Sequence, residues 1–177
     1  MTNQCAVCRV IEDANTHKLF EDEKCIAILN PQPSSPGHVL VIPKEHQPII
    51  EQVPDFIVDH LARVANKISI AIFESLNAQG TNILINNGIA AGQESAHFMI
   101  HVIPRRDGDN LNFQWQPKQL NEEQVSTIEM QLKEESQKIG GFVKEKAAPI
   151  ELKEEAEVIE QGDEEENYLV KHIHRIP

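Results

Sequence analysis

The sequence predicts an α+β fold: a mostly antiparallel sheet with one long helix, one later helix and an extended C-terminal arm. Three observations point there. Short apolar runs of strand length, CIAIL at 25–29 and HVLVI at 38–42, are bounded by turn-forming residues. One long stretch, from Asp55 to Leu76, repeats its apolar residues at helical spacing. Two further strand-like runs, TNILINN at 81–87 and HFMIHVI at 97–103, enclose the glycine-bearing loop GIAAGQESA.

Each element has a local reason. Residues 17–30 carry Leu19 and Phe20 and then CIAIL, two strands separated by the acidic turn Glu21–Lys24. The HVLVI strand is entered through the turn PQPSSPG and closed by Pro43, which has no N–H to extend a ladder. In the long helix, Ile57, Leu61, Val64, Ala65, Ile68, Ile72 and Leu76 form one stripe, and Gly80 is expected to stop it. In 97–103 the alternation of a strand places His97, Met99 and His101 on one face. Phe98, Ile100 and Val102 then fill the other face and read as core. Asn121 with Gln124 three residues on forms a capping box for a second helix, with Val125, Ile128 and Leu132 on one face and Gly140–Gly141 as its stop. Residues 1–110 are read as the domain core and 111–146 as a helical region packing on it.

Charge is unevenly spread. The 177-residue chain has a net charge of −12, yet residues 147–167 hold nine acids against one lysine. That stretch reads as a solvated acidic linker, leading to a strand-like arm, YLVKHIHRIP, at 168–177. The acidity argues against nucleic acid and anionic membranes as partners. No run approaches the roughly 18 apolar residues of a membrane span, and MTNQCAVCRV lacks a signal-peptide core. A soluble cytoplasmic protein is the expectation.

Cys5 and Cys8 form C-x-x-C at the N-terminus, while Cys25 inside CIAIL reads as a small core residue. In a reducing compartment this motif binds metal or does redox chemistry more often than it forms a structural disulfide. A thioredoxin-type motif is expected to follow a strand and open a helix, and here no such unit precedes it. A zinc site would need two more ligands from Cys or His. His46, just after the HVLVIP strand, and His97 are available by context. His17 and His60 read as surface residues, and His38 as a structural residue bonding loop backbone.

Three blocks together, PSSPGHVLVIPKEH (33–46), NNGIAAGQ (86–93) and HFMIHVIPR (97–105), resemble the histidine triad (HIT) superfamily of nucleotide-binding proteins. Prokaryotic members with an N-terminal C-x-x-C are particularly similar. The resemblance covers about residues 5–107. It implies a five-stranded antiparallel sheet with flanking helices, homodimerisation and a purine nucleotide ligand. It also implies a structural zinc held by Cys5, Cys8, His46 and His97. Asn30 matches a ribose-contacting position usually held by Asp. Asn86, Gly92, Gln93 and Glu94 match phosphate-site positions, with Gly88 and Gly92 letting the loop backbone approach closely. His101 matches the residue that hydrogen-bonds the phosphate and supports the nucleophile.

The departure is Met99. It occupies the position of the nucleophilic histidine, which attacks phosphorus to form a nucleotidyl-histidine intermediate. A thioether has no proton to shuttle and is a poor nucleophile toward phosphorus. The resemblance therefore implies nucleotide binding with hydrolase activity lost or strongly reduced. Other readings stay open. The protein is an active phosphoramidate or dinucleoside polyphosphate hydrolase, or a nucleotidyl transferase, of altered mechanism, with His172 and His174 of the arm as alternative imidazoles. Or it is an interaction module using the acidic linker and arm. An introduced substitution at Met99 is a further reading.

Overall fold

The computed structural model describes residues 5–137 and residue 139. Five strands form one antiparallel sheet: β1 (Lys18–Glu21), β2 (Cys25–Leu29), β3 (Val39–Pro43), β4 (Gly80–Leu84) and β5 (Ile100–Arg105), in spatial order β1-β2-β3-β5-β4. Among the described residues three α-helices accompany it: α1 (Ala6–Glu12), α2 (Asp55–Leu76) and α3 (Glu122–Ser136). The α+β class, the sheet and the two expected helices are as predicted. The N-terminal α1 was not.

The alternation within the central strands builds two apolar layers. On one face Cys25, Ala27, Val39, Val41, Ile100 and Val102, with Phe98 just before β5, pack against Leu61, Val64, Ala65 and Ile72 of α2. On the other face Ile26, Ile28, Leu40 and Ile42 gather Val7, Val10 and Ile11 of α1, together with Met99. Full burial of one such side chain stabilises by roughly 1.5–3 kcal/mol. Successive residues of CIAI and VLVI, which point to opposite faces, are thus all inside, because each layer is covered by a helix.

Some boundaries move from their expected places. Helix α2 spans Asp55–Leu76 as the periodicity requires, but Asn77 ends it, in the left-handed conformation at φ 50°. Gly80 instead opens β4. Strand β5 starts at Ile100, so His97–Met99 form an irregular entry whose side chains still alternate faces. The capping box of α3 is present: the Asn121 side chain accepts from the Gln124 N–H, and the Gln124 side chain accepts from the Asn121 N–H. None of the residues of α3 is buried, and it ends at Ser136, ahead of Gly140. The acidic stretch 147–167 and the arm 168–177, with His172 and His174, lie outside the described residues.

Candidate functional site

The first cluster joins three elements. Cys5 caps α1 and Cys8 lies in its first turn, while His46 follows β3 and His97 leads into β5. Their donor atoms converge within 4.8 Å of one another. Nδ1 of His97 lies 3.7 Å from Cys5 Sγ, 3.5 Å from Cys8 Sγ and 3.3 Å from His46 Nδ1. Cys8 Sγ is 3.4 Å from His46 Nδ1. A tetrahedral ion with ordinary metal–sulfur and metal–nitrogen bonds needs ~3.4 Å between two nitrogens and ~3.6 Å between nitrogen and sulfur. The cluster fits a metal ion on that count.

The tautomer fits as well. His97 Nε2–H donates to the Pro43 carbonyl at 3.1 Å, leaving Nδ1 as the free lone pair turned to the other donors. Burial, together with the charge of His46, holds the His97 ring below the ordinary histidine range, against the pull of the Pro43 bond, so it is neutral. Burial and then Cys5 push the Cys8 thiol up. Two thiolates here need a compensating cation, which is what a metal supplies. The C-x-x-C therefore does open a helix, but its nearest chemical partners are two imidazoles.

A second constellation sits on the same face of the sheet, further along β5. The register puts Leu40 opposite His101, so His38, two residues back along the chain, is the diagonal neighbour of His101. Nε2 of His38 lies 3.1 Å from Nδ1 of His101. The other nitrogen of His38 is surrounded by donors: the Ser34 N–H at 3.2 Å, the Ser34 hydroxyl at 3.0 Å and the Asn30 amide nitrogen at 3.2 Å. That fixes Nδ1 of His38 as acceptor and Nε2–H as donor. His101 accepts on Nδ1 and keeps its own proton on Nε2. Burial, with the nearby charge of His101, pulls His38 down to about 4. Burial likewise lowers His101, opposed by Glu94. Met99 is half-buried, and its side chain packs on the Ile26–Ile28–Leu40–Ile42 layer.

The loop between β4 and β5 is framed from within. Gln93 accepts from the Gly88 N–H at 2.8 Å and donates to the carbonyls of Pro48 at 2.6 Å and Ser95 at 2.8 Å. The Asn86 amide donates to the Gly92 carbonyl at 3.3 Å. Gly88 and Gly92 hold φ of 87° and 86°, the left-handed region that glycine enters without strain. Glu94 is exposed beside this loop. Asn30 has both ends of its amide engaged, donating to His38 and accepting from the Gln32 N–H at 3.0 Å.

The structure thus gathers Cys5, Cys8, His46 and His97 in one place, and Asn30 and His101 in another through His38. His38 does more than bond its loop. Its spacing from the 97–101 segment carries no local pattern, and only the β3–β5 register reveals the pairing. His60, expected on the open surface, is bonded to Asp22.

The HIT domain family profile matches residues 12–108. An adenylylsulfatase of Arabidopsis thaliana is 40% identical over 112 residues, which are 63% of this chain and 57% of that protein, so the match spans little more than half its length. A HIT-like protein of Methanocaldococcus jannaschii is 37% identical over 59% of this chain and 81% of its own. Among solved structures, a zinc-bound histidine triad family protein from Mycobacterium smegmatis aligns with a TM-score of 0.59 and 37% identity over 77% of this chain and 99% of its own. A histidine triad nucleotide-binding protein from Candida albicans aligns at 0.69 with 30% identity, again over 77% and 99%. The chain belongs to the HIT family and has the fold of that family.

Proposed function

We propose that this protein binds a purine nucleotide or nucleoside phosphate at the face of β5 that carries His101, beside the 86–94 loop, and has lost most or all of the hydrolase chemistry of its family. One observation carries the reading. At the position of the nucleophile stands Met99, a thioether packed on an apolar layer, while the supporting pair His38–His101 and the Gln93-framed loop beside it are intact. Asn30, Asn86, Gly92, Gln93, Glu94 and His101 are assigned to the ligand. Gln93 and Asn86 act mainly by holding the loop backbone open to phosphate oxygens. The Nε2–H of His101 is a donor for one of those oxygens.

Cys5, Cys8, His46 and His97 are assigned to a structural zinc. The zinc-bound relative and a donor set of two thiolates and two imidazoles support that metal. When bound, it would tie α1 and the start of β5 to the sheet. A homodimer in the cytoplasm completes the reading.

Calorimetric titration with AMP and GMP tests this site. Binding at micromolar to millimolar ligand is expected, and no heat at millimolar ligand would remove the proposal. A second reading, an active hydrolase of altered mechanism, draws on the adenylylsulfatase relative. Steady turnover of adenylyl sulfate by the unaltered protein would favour it.

A further inference from the structure

Away from both clusters, the turn between β1 and β2 meets helix α2 at another convergence of metal-binding side chains. Asp22 is its hub. Oδ1 accepts the backbone N–H groups of Lys24 and Cys25 at 2.8 Å each, which fixes the plane of the carboxylate. Oδ2 lies 2.6 Å from His60 Nε2, on the first turns of α2. The Cys25 sulfur lies within 4.8 Å of the same carboxylate. One oxygen, one nitrogen and one sulfur donor thus lie within 4.8 Å of one another.

The arrangement is more than a tether between a turn and a helix. A single carboxylate–imidazole bond would suffice for that, yet a thiol faces the pair from the core. Cys25 has 0% exposure. Burial and the adjacent Asp22 push its thiol up to about 12. Three hydrogen bonds, two from backbone N–H groups and one from His60, outweigh burial and bring Asp22 down to about 2, so the carboxylate is ionised. A buried sulfur beside an ionised carboxylate is a good ligand pair for a divalent cation, because the ion's charge favours the thiolate that the carboxylate alone disfavours. The side chains of His60 and Asp22 keep 31% and 28% exposure, which leaves an entry path and room for a water ligand.

We propose that Asp22, Cys25 and His60 form a second metal site, for a borderline divalent cation such as zinc, cobalt(II) or cadmium, with solvent as the fourth ligand. Binding displaces the Cys25 thiol proton to solvent and moves the His60 proton from Nε2 to Nδ1, so one proton is released per ion. Asp22 and His60 must open from contact to roughly 3.3 Å to share an ion. His60, on the surface of α2, has the freedom to do so. Three ligands with an open position predict weaker, more exchangeable binding than at the four-ligand cluster.

The test uses the full chain, stripped with a chelator and titrated with cobalt(II). Two ions per chain are expected, both giving thiolate-to-cobalt charge-transfer absorption. His60→Ala, a change at a partly exposed position, should bind one ion, with the first cluster's spectrum unchanged. Cys25→Ala should do the same. Saturation of the unaltered protein at one ion per chain would overturn the proposal, as would a second ion that survives His60→Ala.

Discussion

His38 donates its Nε2–H to Nδ1 of His101 across 3.1 Å, and this bond orients the one histidine of the HFMIHVIPR segment that lies outside the Cys5–Cys8–His46–His97 cluster. Its effect reaches stability. His38 is buried and neutral, its pKa drawn from the ordinary 6.5 to about 4. Between those values the unfolded chain binds more protons than the folded one, so stability rises with pH across that window and is lost as pH falls through it. The shift corresponds to about 3 kcal/mol at most. Urea unfolding at pH 7 and pH 5 should show the native protein losing stability, with a smaller loss for His38→Gln. An equal loss in both would assign the effect elsewhere.

Gln93 makes a more local prediction. Its three side-chain bonds connect Gly88, Pro48 and Ser95, so it sets the shape of the loop. Gln93→Glu keeps the acceptor for Gly88 but can no longer donate to the two carbonyls, and it places a negative charge beside the proposed phosphate position. Nucleotide affinity should fall at least tenfold, with about 1–3 kcal/mol lost from stability. Isothermal titration and denaturant midpoints read the two separately.

Gly37 links the turn to the site. Its φ is 89°, and a Cβ there would run into the Leu76 side chain and lie 3.3 Å from Pro104 Cγ. Gly37→Ala should cost about 1–3 kcal/mol, through backbone strain and overpacking. Because His38 is the next residue, the same change should weaken nucleotide binding. A thermal shift within error of the native protein would contradict this reading of the turn.

Removal of the metal should be costly. An ion held about a thousandfold above its dissociation constant contributes about 4 kcal/mol. Chelation of the purified protein, or Cys8→Ser, should therefore lower the melting temperature by roughly 10 °C or more. Elemental analysis of the native protein should find zinc, and its absence from freshly purified material would remove the assignment.

The sequence made the sheet legible where patterns are local. Period-two alternation places Phe98, Ile100 and Val102 in the core, where all three are at most 2% exposed. The stripe from Ile57 to Leu76 marks α2 correctly. What escaped was short or long-range. Helix α1 has only seven residues, and its Val7, Val10 and Ile11 carry too brief a periodicity to stand out beside the cysteines. The end of α2 at Asn77 was hidden because asparagine also tolerates left-handed backbone. The pairing of His38 with His101 depends on strand register, and that of His60 with Asp22 on how α2 packs. Neither is encoded in any window of sequence. The Cys5–Cys8–His46–His97 cluster came from three separate segments, and only the family resemblance grouped them in the sequence.

The central claim is that the site lacks one chemical part, the imidazole at position 99. Loss of a covalent nucleophile costs several powers of ten in rate, with binding and electrostatics supplying what remains. The most direct measurement is turnover of an adenosine phosphoramidate by the native protein and by Met99→His, under conditions where both bind AMP. Turnover at or near background in the native protein, with a gain of at least about a thousandfold in Met99→His, is the predicted result. Native turnover equal to or faster than that of Met99→His would contradict the account.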